Sequence, residues 1–428
     1  MNKVVVTGIG AVTPLGNTFS AAWDAAKRGI SGTGRITRFD ASLLPWSIAG
    51  ELRDFDAYAY LSAREVHRLD PFVHYAVAAA VMAAEDAGLV SSLCSPVAYH
   101  PSLSSAGVMI GSSRGGISTI EKALVKSAAS ASRHSSLTPH HAHRLSPYLM
   151  SATTINMAAS SVAKRLGIRG QCLGISNACA SGANAIGEAF RMIRTGSASL
   201  VIAGGTEAPL CTTCVAGYGS AGALSKGRLS GNLSCVPKPF HRTRDGFVLS
   251  EGACVLVLEA GRHALDRGAP VYGEITGYGN CTDSFHITQP DPEGEARAMM
   301  MAIQEAGITT DEVDYISTHG TGTRLGDVSE VQAIKKVFGK SALNIPATAV
   351  KSMTGHMLAA SGAFEVAATL MSLREGIIPP TINLDEKDPE CDITVITEKK
   401  EADVRIALSN SFGFGGVNAV LVLERRRQ

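Results

Sequence analysis

The sequence predicts a layered α/β protein built as two similar halves. Three observations carry this. Short apolar runs of strand character alternate with longer helical stretches, and alternating β and α units build layers around mostly parallel sheets. The alternation starts afresh near residue 260, which divides the chain into an N-terminal half, 1–260, and a C-terminal half, 261–428. The 428 residues are 45% hydrophobic and 18% charged and include 44 glycines, enough for a large core with many tight turns and close backbone contacts.

Val4 to Ile9 reads as a buried strand ending in Gly8-Ile-Gly10. A dinucleotide fingerprint would need a third glycine at position 13, where Thr13 stands, so no nucleotide site is expected. Phe19 to Arg28 reads as an amphipathic helix and residues 31–60 as irregular. Leu61 to Gly88 reads as a helix pair or one helix broken at Pro71, with Arg64, His67 and Arg68 on one face. Ala106 to Ile110 is a strand leading into Gly111-Ser-Ser-Arg114-Gly-Gly. Thr153 to Leu166 is a helix, Leu173 to Ile175 a strand, Ala180 to Phe190 a helix and Leu200 to Ala203 a strand. A basic, loop-rich stretch from Leu224 to Arg244 precedes a strand at Ala253 to Leu258 and a helix at Arg262 to Arg267. The second run has strands at 271–278, 313–317, 404–409 and 417–423, with helices at 293–306, 328–338 and 362–374.

The net charge of +1 offers no case for nucleic-acid binding. No apolar stretch reaches the ~20 residues of a membrane helix, so no membrane insertion is expected. The nine cysteines are scattered, and Met1-Asn-Lys leads directly into a strand without a secretory signal. That points to a reducing, cytoplasmic compartment. Cys211 and Cys214 form a CxxC pair without a second pair or a histidine at zinc spacing. His134, His140, His141 and His143 cluster without an acidic or cysteine ligand at metal spacing, so no metal site is expected.

Cys179 carries the chemistry. In Ser176-Asn-Ala-Cys-Ala-Ser181 it falls on a turn between a strand and a helix, where unpaired N–H groups and the helix dipole favour a thiolate. Three later stretches look like its partners. His319 lies in Ser317-Thr-His-Gly-Thr-Gly-Thr323, directly after a strand. Lys351 and His356 share Lys351-Ser-Met-Thr-Gly-His356, and Asn410-Ser-Phe412-Gly-Phe414-Gly-Gly416 is dense in glycine. Strand-to-loop junctions are where open α/β folds place their active sites. One Cys, two His and a glycine-rich loop suit acyl chemistry on a thioester: a thiolate attacks, backbone N–H groups hold the oxyanion, and two imidazoles hydrogen-bond a second carbonyl.

These four motifs occur in the order found in the β-ketoacyl-acyl carrier protein synthases. The chain resembles that family along its full length, the elongating type II branch most of all. The resemblance implies a thiolase-like α/β fold, with two similar βαβα halves in a five-layer αβαβα arrangement, and a homodimer. It implies that Cys179 takes an acyl group from an acyl carrier protein, with the N–H groups of Cys179 and Phe414 as the oxyanion hole. His319 and His356 would bind the malonyl thioester carbonyl and stabilise the enolate as CO2 leaves. Lys351 would sit in a charge network with Glu330 as its partner and Asp327 nearby. Thr321 and Thr323 would hydrogen-bond the phosphopantetheine arm, which arrives on the carrier protein, so no resident cofactor is expected. Phe412 would join the substrate-binding set, and Phe414 would gate the site. Carrier proteins are acidic, which makes Arg64, His67, Arg68, His143, Arg144, Lys226 and Arg228 the docking candidates.

Arg114 departs from the family, which usually places an apolar residue there to line the acyl tunnel. A cation in an apolar tunnel is costly unless it is paired or reaches water. It would shorten or polarise the pocket, favouring short, branched or polar primers and a specialised polyketide or polyene pathway; otherwise it points away and pairs with an acid. A degradative thiolase would need a second cysteine where Asn410 to Gly416 has none. Initiating and chalcone-type enzymes carry Asn where His356 stands. A non-catalytic chain-length-factor-like subunit would lack Cys179.

Overall fold

The computed structural model describes residues 1–91, 98–129, 145–227 and 236–426. Ten strands form one sheet: β1 (Val4–Val12), β2 (Gly107–Gly111), β3 (Cys172–Ile175), β4 (Leu200–Glu207), β5 (Gly252–Ala260), β6 (Gly273–Thr282), β7 (Tyr315–Ser317), β8 (Ala347–Thr348), β9 (Ile406–Gly413) and β10 (Val417–Glu424). Their spatial order is β8-β7-β9-β10-β6-β1-β5-β4-β2-β3. Reading outward from the centre, β1-β5-β4-β2-β3 and β6-β10-β9-β7-β8 follow one pattern. In each, the first strand is flanked by the fifth, then the fourth, second and third. The halves join where β1 runs antiparallel to β6, with Val4 opposite Ile275.

The sheet is mixed, which corrects the expectation of mostly parallel sheets. Only the outer strands, β2 with β3 and β4 and β7 with β8 and β9, pair in parallel. The last strand of each half returns antiparallel between its first and fourth strands, and the seam between halves is antiparallel too.

The main helices are α1 (Phe19–Lys27), α2 (Ala63–Arg68), α3 (Pro71–Asp86), α4 (Ile117–Ala129), α5 (Met157–Leu166), α6 (Ser181–Arg194), α7 (Thr212–Ser220), α8 (Pro292–Ala306), α9 (Arg324–Phe338) and α10 (Ala359–Glu375). Helices α3 and α5 cover the outside of the first half, and α8 and α9 the outside of the second. Helices α6 and α10 pack on each other and touch strands of both halves. The result is the expected five-layer αβαβα stack with α6 and α10 at its centre.

Glycine and alanine bring these layers close. A Cβ at Gly8 or Gly10 on β1 would run into the Ala83 or Ala79 carbonyls of α3, and one at Gly277 or Gly279 on β6 into the Ala302 or Ala298 carbonyls of α8. Gly8-Ile-Gly10 therefore serves helix packing. The helix expected to break at Pro71 is two helices. Pro71 opens α3, and buried Asp70 caps it by accepting from Phe72 N at 3.0 Å. The stretch read as irregular contains a small ribbon, Thr33–Arg35 against Ile48–Gly50. The helix expected from Thr153 starts at Met157, after a separate turn of helix at Leu149–Thr153.

Candidate active site

Cys179 sits between β3 and α6, as its sequence context required. Ala178, just before it, holds φ +48°, a left-handed conformation that costs a non-glycine residue energy and marks a sharp elbow. The Cys179 side chain is buried, 8% exposed, on the wall of a cavity of about 770 Å³. His319, His356, Thr321, Thr323, Phe412 and Phe414 line the same cavity. The structure therefore brings together residues from four separate segments. Phe414 N–H donates to the Cys179 sulfur, which places a backbone donor beside the thiol.

The glycine-rich stretch is mostly strand. β9 runs through Gly413 and pairs in a hairpin with β10, so only Phe414 to Gly416 form the turn. Gly415 and Gly416 both hold positive φ there.

His319 and His356 face each other with ring centroids 5.5 Å apart and nearly perpendicular planes. Lys351 Nζ donates to the His319 carbonyl at 2.7 Å and lies 3.3 Å from His319 Nδ1. An amine facing Nδ1 makes that nitrogen an acceptor and leaves the proton on Nε2. Ser361 Oγ accepts from Met357 N at 2.9 Å, which leaves its hydroxyl proton for His356 Nδ1 at 3.2 Å. This arrangement lets both rings carry Nε2–H. Burial, followed by Lys351 and then His356, holds His319 well below the usual histidine value; burial and Lys351 do the same to His356. The pair is neutral at neutral pH and can donate two N–H groups to one oxygen.

Lys351 is 1% exposed and its ion-pair partner is Glu365 of α10, also 1% exposed. This corrects the expectation that Glu330 pairs with it. Glu330 instead accepts from His319 N and Gly320 N, both at 2.8 Å, and from Asn410 Nδ2 at 3.0 Å. Asp327, one turn earlier on α9, accepts from Gly322 N at 3.0 Å and Phe240 N at 2.7 Å. The two carboxylates on one helix face hold the backbone that carries His319. Burial pushes Glu365 and Asp327 up to about 7 against the pull of Lys351 and of the Phe240 amide, respectively.

The expectation of a lowered thiol pKa does not hold for the resting site. Burial, aided by Glu207, pushes Cys179 up to about 11; Lys351, Arg114 and Phe414 N–H oppose it without prevailing. The turn brings the thiol to a helix start, but it also removes it from water, and desolvation of the charged form is the larger effect.

Arg114 does not itself border the cavity. Its Nε donates to Tyr218 Oη at 2.8 Å, with the guanidinium 5.1 Å from the Tyr218 ring centroid. Tyr218 does border the cavity and packs on Phe247 and Phe414. The cation is thus held by a hydroxyl behind the wall, and its pocket-facing partner is the tyrosine. Its main chain is held by an acid, since Arg114 N donates to Glu207 at 3.0 Å.

The described docking candidates lie on two elements, α2 and the rim of the main cavity. Arg64, His67 and Arg68 lie on α2, where Arg68 stacks 4.1 Å over Tyr148 and borders a cleft shared with Arg64 and Lys164. Lys226 is exposed at the mouth of the main cavity. His143, Arg144 and Arg228, and with them His134, His140 and His141, lie outside the described residues. Cys211 and Cys214 are both buried, with their thiols hydrogen-bonded to each other. Among the described residues no helix is long and apolar enough to cross a membrane.

Sequence reasoning missed Glu365, Ser361, Tyr218, Glu207 and Arg324, the last at the cavity mouth. A signal existed for Glu365: a carboxylate in the middle of the Ala-rich α10, whose residues 359–370 are all buried, needs a cation, and Lys351 is the buried lysine.

Comparison with known proteins agrees with this geometry. Residues 1–264 match the β-ketoacyl synthase N-terminal domain and residues 272–385 the C-terminal domain. The chain belongs to the β-ketoacyl synthase family. It is 42% identical over 426 residues to 3-oxoacyl-[acyl-carrier-protein] synthase 2 of Synechocystis, covering 99% of this chain and 98% of that protein. Among solved structures it is similar to the ishigamide ketosynthase/chain length factor, with a TM-score of 0.89, 33% identity and full coverage of both chains. It is equally similar to a type II polyketide ketosynthase, bound to a hexaketide, in complex with its acyl carrier protein. That match has a TM-score of 0.88 and 32% identity and covers 99% of this chain and all of that one. This synthase is accordingly an acyltransferase, a β-ketoacyl-acyl carrier protein synthase with the ketosynthase fold.

Proposed function

We propose that the enzyme catalyses decarboxylative Claisen condensation of malonyl-carrier protein with an acyl group held on Cys179. The N-terminal half, 1–260, supplies the nucleophile; the C-terminal half, 261–428, supplies both histidines and the Phe414 turn. The Cys179 sulfur attacks the acyl thioester, and Cys179 N–H and Phe414 N–H hold the oxyanion. The carrier's pantetheine thiol then leaves with the proton that Cys179 gives up. The malonyl thioester next places its carbonyl oxygen against the two Nε2–H groups of His319 and His356. The bond to the carboxylate breaks, CO2 departs, and its electrons form an enolate stabilised by both donors. The carbanion attacks the acyl carbonyl, and the Cys179 thiolate leaves as the new carbon–carbon bond closes.

The observation that carries this reading is the convergence of Cys179, two neutral histidines and the Phe414 N–H on one cavity. Lys351 and Glu365 fix the His319 tautomer, Glu330 and Asp327 hold its loop, and Thr321 and Thr323, with hydroxyls 3.0 Å apart, receive the pantetheine arm. Phe412 and Phe414 bound the reacting groups. Acyl carrier protein is the partner, docking on the α2 face through Arg64, His67 and Arg68 and reaching Lys226 at the mouth, and the working form is a homodimer in the cytoplasm. Mass spectrometry of Cys179 after incubation with a series of acyl carrier proteins tests this; an unmodified thiol throughout would refute it.

Arg114 and Tyr218 favour a second, finer reading, a ketosynthase of a specialised polyketide or polyene pathway. A hydroxyl on the pocket wall, backed by a cation, suits short or polar acyl groups better than long saturated chains.

A further inference from the structure

The Cys179 elbow is held from outside by a residue with no part in the scheme above. Ser113 Oγ donates to the Ala178 carbonyl at 2.7 Å. The other donors to that oxygen, Ser181 Oγ at 2.6 Å and Ser181 N at 3.2 Å, belong to the turn itself. Ser181 Oγ also accepts from Asn177 N at 2.8 Å, so the turn and the start of α6 move as one piece. Ser113 stands on a different loop. That loop is anchored by Glu207, a fully buried carboxylate at the end of β4. Glu207 accepts from Ser112 Oγ at 2.9 Å, Ser113 N at 2.8 Å and Arg114 N at 3.0 Å.

The Ala178 carbonyl and the Cys179 N–H are opposite ends of one peptide unit. That unit is planar and trans, so a donor that fixes the C=O direction fixes the N–H direction 180° away. Hydrogen bonding to the oxygen also polarises the amide and strengthens its N–H as a donor. The elbow needs this support, because Ala178 at φ +48° gains nothing from its own backbone preference. We infer that Ser113 is a positioning residue for acyl transfer. Through the Ala178–Cys179 peptide its hydroxyl aims and strengthens the Cys179 N–H that holds the oxyanion, and Glu207 is the fixed point it pulls against. The inference rests on the assignment of Cys179 N–H as an oxyanion donor.

Two reactions of the same thiol separate this role from a merely structural one. Acylation from an acyl carrier protein passes through an oxyanion; alkylation by iodoacetamide displaces iodide and forms none. In Ser113→Ala, acylation of Cys179 falls about 10- to 100-fold, while its alkylation rate stays within about twofold of wild type by the same reasoning. Ser113→Gly, a second variant without the hydroxyl, shows the same split, and Ser113→Thr restores acylation. Acylation at the wild-type rate in the Ala and Gly variants overturns the inference, and so does an equal fall in acylation and alkylation. A wild-type enzyme that alkylates but never acylates would instead overturn the condensing-enzyme reading, so the two failures are distinct.

Discussion

The two halves of the molecule place equivalent loops at the ends of equivalent strands and fill them with different chemistry. The loop after the second strand carries Ser113 and Arg114 in one half and His319 in the other. The segment after the third strand carries Cys179 in one and Lys351 and His356 in the other. In the first half a single carboxylate, Glu207, organises hydroxyls and backbone amides around a strained peptide. In the second, Asp327, Glu330, Lys351 and Glu365, all buried, organise two imidazoles. In the proposed mechanism, one scaffold thus positions the nucleophile by backbone geometry and the electrophilic pair by buried charge. Damage to the first half should impair acyl transfer, and damage to the second should impair decarboxylation.

The largest expected effect tests that separation directly. Cys179→Gln should lose condensation by at least about 10³-fold, since the covalent route is gone. It should still release CO2 from malonyl-carrier protein, read with isotopically labelled malonate. Loss of both activities together would break the comparison.

Next comes the charge network. Lys351→Met leaves Glu365 buried without its cation and should cost about 3–5 kcal/mol in urea unfolding. Decarboxylation by the folded fraction should fall, while self-acylation of Cys179 persists. Lys351→Met combined with Glu365→Leu should recover most of the stability and little of the decarboxylation.

The pH dependence of decarboxylation is a finer test, best read in Cys179→Gln, where no thiol titrates. Burial lowers both histidines well below 6.5, so the neutral donors persist and histidine protonation should produce no acid limb until well under that value. The sign for stability follows. The unfolded chain binds these protons more readily, so their effect on stability declines as pH falls through 6.5 toward the lower folded values. A histidine limb at or above 6.5, assigned by NMR titration of the two rings, would contradict the burial argument.

The smallest effect belongs to the pocket wall. The wild-type enzyme should load a four-carbon acyl chain faster than a twelve-carbon one. Arg114→Leu and Tyr218→Phe should each narrow that ratio by about 3- to 10-fold, the range expected for removing a poorly matched polar group from an apolar contact. Faster wild-type loading of the longer chain would sink the polar-pocket reading.

Much of this was legible in one dimension. The strand and helix alternation, its restart near residue 260 and the four motifs depend on local properties: apolar runs, helix-forming stretches, and turns that need glycine. The mixed sheet was not legible, because whether a returning strand lies parallel or antiparallel is set by where it inserts. β5 and β10 insert between earlier strands, which no run of residues announces. The partner of Lys351 was not legible either. Glu330 stands beside His319 in the fold but points its oxygens at backbone amides, and Glu365 arrives from the central helix layer. Cys179 divides the same way. Its place on the elbow was written in the sequence, since Ser176 to Ser181 must turn between a strand and a helix. Its protonation state was decided by tertiary burial, which raises the thiol to about 11 where the helix start alone would have lowered it. Local sequence sets which backbone groups a residue meets; only the packed layers decide how much water is left around it, and desolvation is the larger effect at this site.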